Sequence, residues 1–430
     1  ASKPMTALPL QPLQGMSDLA TPEVEIWQGV EAAARRIFAL YDVTEVRTPI
    51  LELTRLFTRS LGETTDVVQK EMYSFEDRGG RQISLRPEGT AGVIRHLAGL
   101  GEEAAQARCY YLGPMFRSER PQAGRKRQFH QLGVELLGAP HPAADAEAVA
   151  LQHHLLSAWG LNGARIEINT RGLPDDQRAV AEGLRKALQP HEGRLCEDCR
   201  RRMQSNILRV LDCKEPECGK VVEALPPVTS FMGDEARRYF EEVGRLLAAL
   251  DIPFTVNPRL VRGLDYYVHT IWEVRHPALG AQDALSGGGR YRIVMDDGAK
   301  PIEGVGFAAG LERVVASVRN DQPEYRGTAH PLTAWIVTPG EAMLEQNMRL
   351  AQTLRRHGIA CDLSLEPRSV KAQMRAAHRR GARYAVIRGE AELAQGLVVL
   401  KNMKDGVQEE LEMAALLEQL ILAAREAPAH

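Results

Sequence analysis

The chain contains 430 residues, 44% of them hydrophobic and 26% charged, and this balance excludes a wholly disordered protein. At roughly 150 residues per domain, the length accommodates about three domains. The 54 basic and 56 acidic residues give a formal net charge of −2, which excludes a chain-wide positive field but not a local basic groove. Because 44 of the basic residues are arginines, any single pair of arginines is weak evidence for a site.

The N-terminus and the cysteine content indicate where the protein works. Residues 1–14 are rich in proline and lack the charged and apolar regions of a secretory signal. No apolar run approaches the about 18–20 residues that span a bilayer. Six cysteines are too few for a disulfide scaffold in a chain of this length. We therefore expect a cytoplasmic protein with reduced thiols and no membrane partner.

The first 174 residues read as a helix followed by strands. Thr21-Pro22-Glu23 is typical of a helix start, and apolar residues then recur at helical spacing as far as Tyr41. Residues 42–50 form an extended segment broken by a proline. Residues 72–135 are rich in strand patterns, and a helical stretch covers residues 144–161.

The rest of the chain predicts an insertion and a separate C-terminal domain. Residues 175–250 are highly charged, mostly helical in pattern and contain four of the six cysteines. Strand patterns resume at Phe254, and a polar linker covers residues 320–331. Strands and helices then alternate, as in a compact α/β domain. We assign residues 1–174 and 251–325 to a core, residues 175–250 to an inserted module, and residues 331–430 to an α/β domain.

Residues 110–135 predict a long hairpin that could bind a zwitterionic or basic ligand beside a phosphate. Two extended runs flank a polar loop that contains several arginines. Side chains alternate along a strand, so Phe129, Gln131 and Glu135 share one face, with Gly133 leaving an open slot between the last two. Polar acceptors beside a cationic loop suit such a ligand. An exposed charged hairpin is an equally good interpretation of the pattern alone.

Two further segments are candidates, and each has a structural alternative. After Arg262-Gly263, alternation places Tyr267 and His269 on one strand face and Tyr266 and Val268 on the other. On the pattern alone, an ordinary aromatic strand is the preferred interpretation of this run. Residues 304–314 place glycines before a helix start, where Arg313 could meet a phosphate, although helix packing explains the glycines equally. The chain contains no P-loop sequence.

Together these segments resemble the signature motifs of the class II aminoacyl-tRNA synthetases, and in particular the histidyl-tRNA synthetase family. The resemblance rests on Leu-Arg-Pro-Glu-Gly-Thr at residues 85–90, on the hairpin at residues 116–135 and on Arg-Gly-Leu-Asp-Tyr-Tyr at residues 262–267. It implies an α+β class II catalytic core, an antiparallel sheet flanked by helices. It also implies a helical insertion and a C-terminal α/β anticodon-binding domain.

The resemblance also implies roles for individual residues. Arg262 and Arg117 would be catalytic, both at the α-phosphate of ATP, which enters with Mg²⁺. Arg313 would contact the γ-phosphate and Glu119 and Phe129 the adenine. The full ATP set is Arg117, Glu119, Arg125, Phe129 and Arg313. The histidine set is Glu88, Thr90, Gln131, Glu135, Arg262, Tyr266, Tyr267 and Tyr291, with Glu135 and Tyr267 reading the imidazole.

The implied activity is that of a histidine–tRNA ligase, which forms histidyl-adenylate from histidine and ATP and then charges histidine tRNA. The alternative is a non-catalytic histidine-binding paralogue, the regulatory subunit of ATP phosphoribosyltransferase. Such regulators usually lack the arginine-rich motifs and the C-terminal domain, which are present here. One departure concerns Arg292-Ile293-Val294, where the family typically has Asp-Gly-Leu, and the loop from there to Gly304 is about one residue short.

The inserted module contains Cys196, Cys199, Cys213 and Cys218, a spacing that resembles a four-thiolate zinc site. Because the second pair is separated by four residues rather than two, and the family does not require zinc, we expect free thiols. Cys109 and Cys361 are expected to be buried and inert.

Partner surfaces also follow from the resemblance. The helix and strand at residues 21–50 match the synthetase dimer motif, so a homodimer is expected. The C-terminal domain offers candidate tRNA contacts, although solvated helix charges explain any single one equally well: Arg368, Lys371, Arg379, Arg380 and Lys401.

Overall fold

A computed structural model describes residues 10–63, 65–101, 106–120, 125–295, 300–328, 332–366 and 368–425, with the backbone alone for residues 281 and 282. The chain divides into two compact units, residues 1–325 and residues 326–430. The boundary falls within the predicted linker. Within the described part of the chain, no helix is both long and apolar enough to cross a membrane.

The first unit contains eleven described strands and nine described α-helices. The strands are β1 (Thr44–Glu45), β2 (Leu51–Leu53), β3 (Ser74–Glu76), β4 (Gln82–Leu85), β5 (Arg108–Phe116), β6 (Gln128–Leu137), β7 (Arg165–Thr170), β8 (Thr255–Val256), β9 (Tyr267–Arg275), β10 (Ala284–Ile293) and β11 (Ile302–Gly310). The helices are α1 (Glu23–Leu40), α2 (Thr54–Leu61), α3 (Thr90–Ala98), α4 (Pro142–Ala158), α5 (Pro174–Leu188), α6 (Glu197–Ser205), α7 (Pro216–Glu223), α8 (Asp234–Ala249) and α9 (Leu311–Asp321).

An eight-stranded sheet organises this unit, in the order β1-β5-β6-β11-β10-β9-β7-β8. The neighbours from β5 to β7 pair antiparallel, and only the two edge strands β1 and β8 pair parallel. Apolar residues of α1, α4, α8 and α9 form a core with one face of the sheet, including Phe38, Leu151, Val243 and Val314. The prediction of an antiparallel sheet flanked by helices is confirmed.

The opposite face of the sheet carries a second core, which surrounds the candidate site. Helices α2 and α3 contribute to this core, and the small antiparallel sheet β2-β4-β3 packs against α2. The buried aromatic residues of this core come from α2, β5, β9, β10 and the turn before β9. Of the extended segment predicted at residues 42–50, only Thr44 and Glu45 form a strand, beside β5.

Residues 175–250 are helical, as predicted, and contain a hydrophobic core of their own, in which Leu184, Cys199 and Val221 are buried. Helix α8 belongs to both cores. Ala236 near its start packs in the module's core, whereas Phe240, Val243 and Leu247 pack in the main core with α4. The assignment of residues 175–250 to an independent domain stays a prediction.

The second unit is a five-stranded mixed sheet with helices. Its strands are β12 (Ala334–Val337), β13 (Cys361–Leu363), β14 (Tyr384–Ile387), β15 (Leu397–Asn402) and β16 (Gln408–Glu412), in the order β13-β12-β14-β15-β16. Its helices are α10 (Leu344–Arg356), α11 (Val370–Arg379), α12 (Glu390–Ala394) and α13 (Met413–Arg425). The alternating pattern of the sequence predicts all of these except β16 and α12.

Candidate active site

Strand β6 places three polar or aromatic side chains along the site face of the sheet. It pairs with β5 so that Cys109 lies opposite Glu135 and Met115 lies opposite Phe129. Phe129 and Gln131 lie at the open end of this face, where they line a cavity, whereas Glu135 is 2% exposed. Phe129, Gln131 and Glu135 thus share one face of β6, as predicted, and follow one another from the surface into the interior.

Glu135 is a buried carboxylate with one oxygen in use. Its Oε1 accepts a hydrogen bond of 2.7 Å from the Thr90 hydroxyl, whereas its Oε2 has no hydrogen-bond partner among the described residues. That oxygen lies over Gly306, where a Cβ would approach it to 2.3 Å. A buried carboxylate oxygen without a hydrogen-bond partner is available to accept a hydrogen bond from a bound ligand.

Burial raises the pKa of Glu135 to about 8; the hydrogen bond from the Thr90 hydroxyl lowers the pKa, while the carboxylate of Glu88 raises it further. This environment therefore favours the protonated carboxyl group at neutral pH. A cationic or hydrogen-bonding ligand would draw it towards the ionised form.

Glu88 caps the N-terminus of α3. Its Oε2 accepts from the backbone N–H of Thr90 at 2.9 Å, and its Oε1 accepts from that of Ala91 at 2.8 Å. Burial raises the pKa of Glu88, and the two backbone donors lower it. This cap fixes Thr90, whose hydroxyl in turn holds Glu135, so the Leu-Arg-Pro-Glu-Gly-Thr segment positions the carboxylate at the bottom of the site.

Four buried phenols complete what we call the inner cluster: Glu88, Thr90, Tyr111, Glu135, Tyr266, Tyr267 and Tyr291. The rings of Tyr266 and Tyr267 lie 4.7 Å apart between centroids, and those of Tyr266 and Tyr291 lie 6.0 Å apart. Burial raises the pKa of all four tyrosines, so each is a neutral hydroxyl able to donate. Two carboxylates and several phenols suit a ring with two nitrogens.

The open slot predicted at Gly133 is wrong, because the ring of Tyr111 occupies it. A Cβ at Gly133 would lie 2.3 Å from Cζ of Tyr111, and a Cβ at Gly89 would lie 2.1 Å from Cε2 of the same ring. The two glycines therefore admit Tyr111 into the inner cluster. Its hydroxyl has no hydrogen-bond partner among the described residues. The sequence patterns did not single out Tyr111. Its position opposite Gly133 in the predicted hairpin is the signal that could have placed its ring in the site.

The predicted faces of the strand after Arg262 are also wrong. Tyr266 precedes β9, so strand alternation does not apply to it, and it joins Tyr267 in the inner cluster. The register of β9 on β10 shifts between Val268 and Ile271, and His269 adopts a left-handed φ of 47° in this bulge. Its ring stacks on Tyr239 of α8, at 4.0 Å between centroids, instead of accompanying Tyr267.

A cavity, which we call the outer cavity, adjoins the inner cluster. It has a volume of about 980 Å³, including space open to solvent. Every residue of the predicted ATP set lines it, together with Gln131, Arg262, Glu273 and Glu312. Two of the arginines that line the cavity are held by oxygen acceptors. Arg117 donates through Nε to the Pro87 carbonyl at 3.0 Å, and Arg125 pairs with Glu119 at 3.1 Å.

Arg262 lies flat against β10 and pairs with Glu273 through Nη1 at 2.7 Å. The run Gly287-Gly288-Gly289 makes this arrangement possible. A Cβ at Gly287 would lie 2.4 Å from Cζ of Arg262, and one at Gly289 would lie 2.7 Å from Cδ1 of Tyr267. A Cβ at Gly288, on the other face, would meet Trp272 at 2.5 Å. The glycine run is thus a platform for side chains of the site and the core.

Arg313 occupies the first turn of α9 and donates to the carbonyl of Ala284. The glycines that precede it, Gly304 and Gly306, belong to β11 and face Tyr291 and Glu135 across the sheet. A Cβ at Gly304 would lie 2.5 Å from the Tyr291 hydroxyl. These two glycines therefore shape the inner cluster. Of the altered segment at residues 292–304, residues 296–299 lie outside the described part, as do residues 121–124 of the hairpin loop.

An ion pair that the sequence analysis missed holds the sheet to α4. Arg290 of β10 and Asp145 of α4 approach to 2.6 Å, with side chains 4% and 0% exposed. Arg290 also donates to the Ala139 carbonyl. A charged pair this deeply buried fixes the helix against the strand that carries the glycine run. Arginines are so frequent in this chain that sequence alone did not distinguish Arg290.

The four cysteines of the module converge. Their sulfur atoms all lie within 4.8 Å of one another, and Cys199, Cys213 and Cys218 are buried.

The second unit carries what we call the basic face: Lys371, Arg375, Arg379, Lys401 and Lys404. The three α11 residues recur every four positions and so share one side of the helix. None of the five forms an ion pair with a described carboxylate. Of the other predicted contacts, Arg368 pairs with Glu366 and Arg380 with Asp362, and neither lines this face. Arg375 and Lys404 were missed by the sequence analysis.

Comparison with known proteins identifies the family. The family described as "Histidyl-tRNA synthetase" matches residues 15–314, which include the inner cluster and the outer cavity. The chain belongs to the histidyl-tRNA synthetase family. The description "Anticodon binding domain" matches residues 333–421, within the second unit.

Curated relatives of the family match nearly the whole chain. A histidine–tRNA ligase of Halothermothrix orenii is 44% identical over 414 residues, 95% of this chain and 98% of the relative. One from a Synechococcus species is 44% identical over 415 residues, 96% of this chain and 99% of the relative.

Solved structures agree on the fold. The apo crystal structure of the S. aureus histidyl-tRNA synthetase matches with a TM-score of 0.79 and 33% identity, covering 96% of this chain and all of that one. A Bacillus halodurans protein titled as an ATP phosphoribosyltransferase regulatory subunit/histidyl-tRNA synthetase matches with a TM-score of 0.65. At 18% identity over 86% of this chain and 97% of that one, this second match shows the fold alone.

Proposed function

We propose that this chain is a histidine–tRNA ligase, which activates histidine with ATP and transfers it to histidine tRNA. The observation that carries the proposal is the unpartnered Oε2 of buried Glu135, surrounded by phenols at the end of an arginine-lined cavity. A carboxylate and hydroxyls in a buried pocket select a ligand that satisfies them and reject one that leaves them unpaired.

Histidine recognition is proposed for the inner cluster. Glu135 and Tyr267 would read the two nitrogens of the imidazole, with Tyr291 and Tyr266 closing the pocket. Gln131, whose Oε1 is buried without a described partner, would accept from the α-amino group. Thr90 and Glu88 are proposed for the same group. The Thr90 hydroxyl also holds Glu135, and the Glu88 carboxylate also caps α3.

The first chemical step is proposed for the outer cavity. A carboxylate oxygen of histidine attacks the α-phosphorus of ATP, a new C–O–P linkage forms, and the bond to the bridging oxygen breaks to release pyrophosphate. Arg117 and Arg262 would stabilise the charge that develops on the α-phosphate, while Arg313 would hold the γ-phosphate and Phe129 and Glu119 the adenine. Positioning and charge stabilisation are sufficient for such a transfer, without a protein nucleophile.

The residues present fit Mg²⁺ only as a companion of ATP. The cavity offers carboxylate oxygens on Glu119, Glu273 and Glu312, the ligand type that Mg²⁺ prefers. Glu119 and Glu273 pair with arginines, and Glu312 accepts from the backbone N–H of His130. We expect the ion to enter with the nucleotide, bound largely through phosphate oxygens, and to neutralise their charge there.

The second step would use tRNA bound in part through the basic face of the second unit. A hydroxyl of the terminal tRNA ribose attacks the histidyl carbonyl carbon, an ester forms, and AMP leaves. Unpaired lysines and arginines on one helix side suit a phosphate backbone.

We also propose a homodimer that works in the cytoplasm. The dimer proposal rests on the resemblance of residues 21–50 to the synthetase dimer motif. Light scattering of the purified chain would test it, and a monomer at micromolar concentration would contradict it.

The activity is tested by histidine-dependent exchange between ATP and pyrophosphate, followed by charging of histidine tRNA. We expect Arg262→Ala nearly to abolish exchange while histidine still binds. Arg245→Ala, which removes an exposed arginine of α8 paired with Glu242, is the control and should retain exchange. Absence of exchange in the unmodified protein would favour the non-catalytic regulatory paralogue, and normal exchange in Arg262→Ala would overturn the role of Arg262.

A further inference from the structure

The helical module brings four cysteines from three short segments to one point. Cys196 is the N-cap of α6, Cys199 lies in its first turn, Cys213 follows the next helical turn, and Cys218 lies in α7. Three of the four belong to the module's hydrophobic core. Among the described residues, the potential metal ligands gathered there are these four sulfurs and no others.

The spacing of the sulfurs fits a tetrahedral site. Zinc–sulfur bonds of about 2.3 Å place the ligands of a tetrahedron about 3.8 Å apart. The sulfurs of Cys196 and Cys213 are 3.9 Å apart, and no two of the four are more than 4.8 Å apart. A disulfide pairs sulfurs two at a time at about 2 Å, whereas here each sulfur lies near all three others.

Backbone donors point at two of the sulfurs. The N–H of Cys199 donates to Sγ of Cys196 at 3.4 Å, and the N–H of Cys196 donates to Sγ of Cys218 at 3.2 Å. Such donors stabilise the thiolate form, which is the form that binds a metal. Cys196 also lies at the N-terminus of α6, where a negative charge is favoured.

The module in turn contacts the segment that carries Arg262. Val261 packs against the module's hydrophobic core, and Arg259 pairs with Glu223 of α7 at 3.1 Å. Gly263 lies against Arg209 of the module, where a Cβ would be 2.8 Å from Nη2. A well-ordered module therefore helps to fix the Arg262 segment, which forms part of the lining of the outer cavity.

We propose that Cys196, Cys199, Cys213 and Cys218 bind one structural Zn²⁺ through four thiolates, and that this ion fixes the module that supports the Arg262 segment. The cysteine spacing favoured free thiols; the convergence of the sulfurs and the two N–H donors support the opposite conclusion. This inference does not rest on the proposed ligase activity, and metal binding is measured independently of it.

The first experiment measures metal in the full-length protein, purified without chelator from medium that contains zinc. We expect one zinc per chain, released by a mercurial reagent in step with the reaction of four thiols. Protein that contains no zinc and takes up none on addition of Zn²⁺ would overturn the proposal. So would a mass deficit that corresponds to disulfides within this set.

The second experiment identifies the ligands. Cobalt exchanged into the site should give the sulfur-to-cobalt charge-transfer and visible bands of a tetrahedral tetrathiolate; an octahedral spectrum would overturn the proposal. Cys218→Ser should lose the bound ion or change the spectrum. Cys361→Ser, a buried thiol of the second unit, is the matched control and should retain one zinc. If Cys218→Ser does not fold, the cobalt spectrum of the unmodified chain still decides the ligand set.

Discussion

The guanidinium of Arg262 lies over the Cα of Gly287, so close that a Cβ at position 287 would be 2.4 Å from Cζ. Glu273, which faces Gly287 on the neighbouring strand, holds the guanidinium there. The position of the proposed catalytic arginine therefore depends on the absence of a side chain on β10.

Gly287→Ala should remove activity with little loss of stability. The new methyl group meets the mobile end of an arginine side chain, so the guanidinium moves aside while the strand keeps its course. We expect histidine-dependent pyrophosphate exchange to fall about 100-fold, and the free energy of unfolding to change by less than about 2 kcal/mol. Gly193→Ala, where a Cβ would have no neighbour within 4 Å, is the control and should leave both unchanged. Normal exchange in Gly287→Ala would show that the position of Arg262 is not critical.

Tyr291→Phe should weaken histidine binding without lowering the stability of the fold. The Tyr291 hydroxyl is buried, and it lacks a hydrogen-bond partner among the described residues. Its removal should therefore raise the free energy of unfolding by about 1 kcal/mol, or leave it unchanged. If the hydroxyl contacts histidine, the Kd for histidine should rise about 10-fold. Calorimetric titration and urea unfolding measure the two quantities; an unchanged Kd would remove Tyr291 from the histidine site.

Glu135→Gln should change how stability depends on pH. The carboxyl group has a pKa of about 8 in the folded chain and an ordinary value of 4.5. Between these values the folded state holds a proton that the unfolded state has lost, so stability is full below the lower value and falls as pH rises through the upper one. The wild-type free energy of unfolding should fall relative to that of Glu135→Gln, on the order of 1 kcal/mol per pH unit.

Urea unfolding without histidine, from about pH 5 to about pH 8, measures this difference. Parallel curves for the two proteins would contradict the raised pKa. The same substitution should raise the KM for histidine about 10- to 100-fold and leave the KM for ATP unchanged.

Arg375→Ala should weaken tRNA binding without affecting adenylate formation. Arg375 is exposed on the basic face and forms no ion pair with a described carboxylate. The loss of one phosphate contact should reduce the slope of log affinity against log salt by about 1. The control is Arg349→Ala, an exposed arginine of α10 that pairs with Glu345. An affinity that is flat between low and moderate salt would contradict electrostatic binding altogether.

Local patterns and the motif resemblance were enough to predict the class of fold and most elements. Residues 413–425 form the helix expected from their apolar spacing, and residues 334–337 the expected strand. The predicted ATP set meets in one cavity. These successes depend on periodicity and on short segments whose members stay close in the fold.

The failures all depend on contacts between distant segments. Tyr111 fills the space over Gly133 because β5 and β6 adopt one particular register, and Gly89 leaves room from a third segment. The bulge at His269 inserts residues that no alternation rule predicts.

The outer cavity contains counterions for its arginines. Arg117 and Arg125 face Glu119, and Arg262 faces Glu273. An incoming anion must therefore separate arginines from carboxylates, and a single sulfate or chloride would gain one contact for that work. A triphosphate would replace several partners at once, so we expect the cavity to select polyanions by an exchange of partners and to resist occupation by the small anions of the surrounding solution.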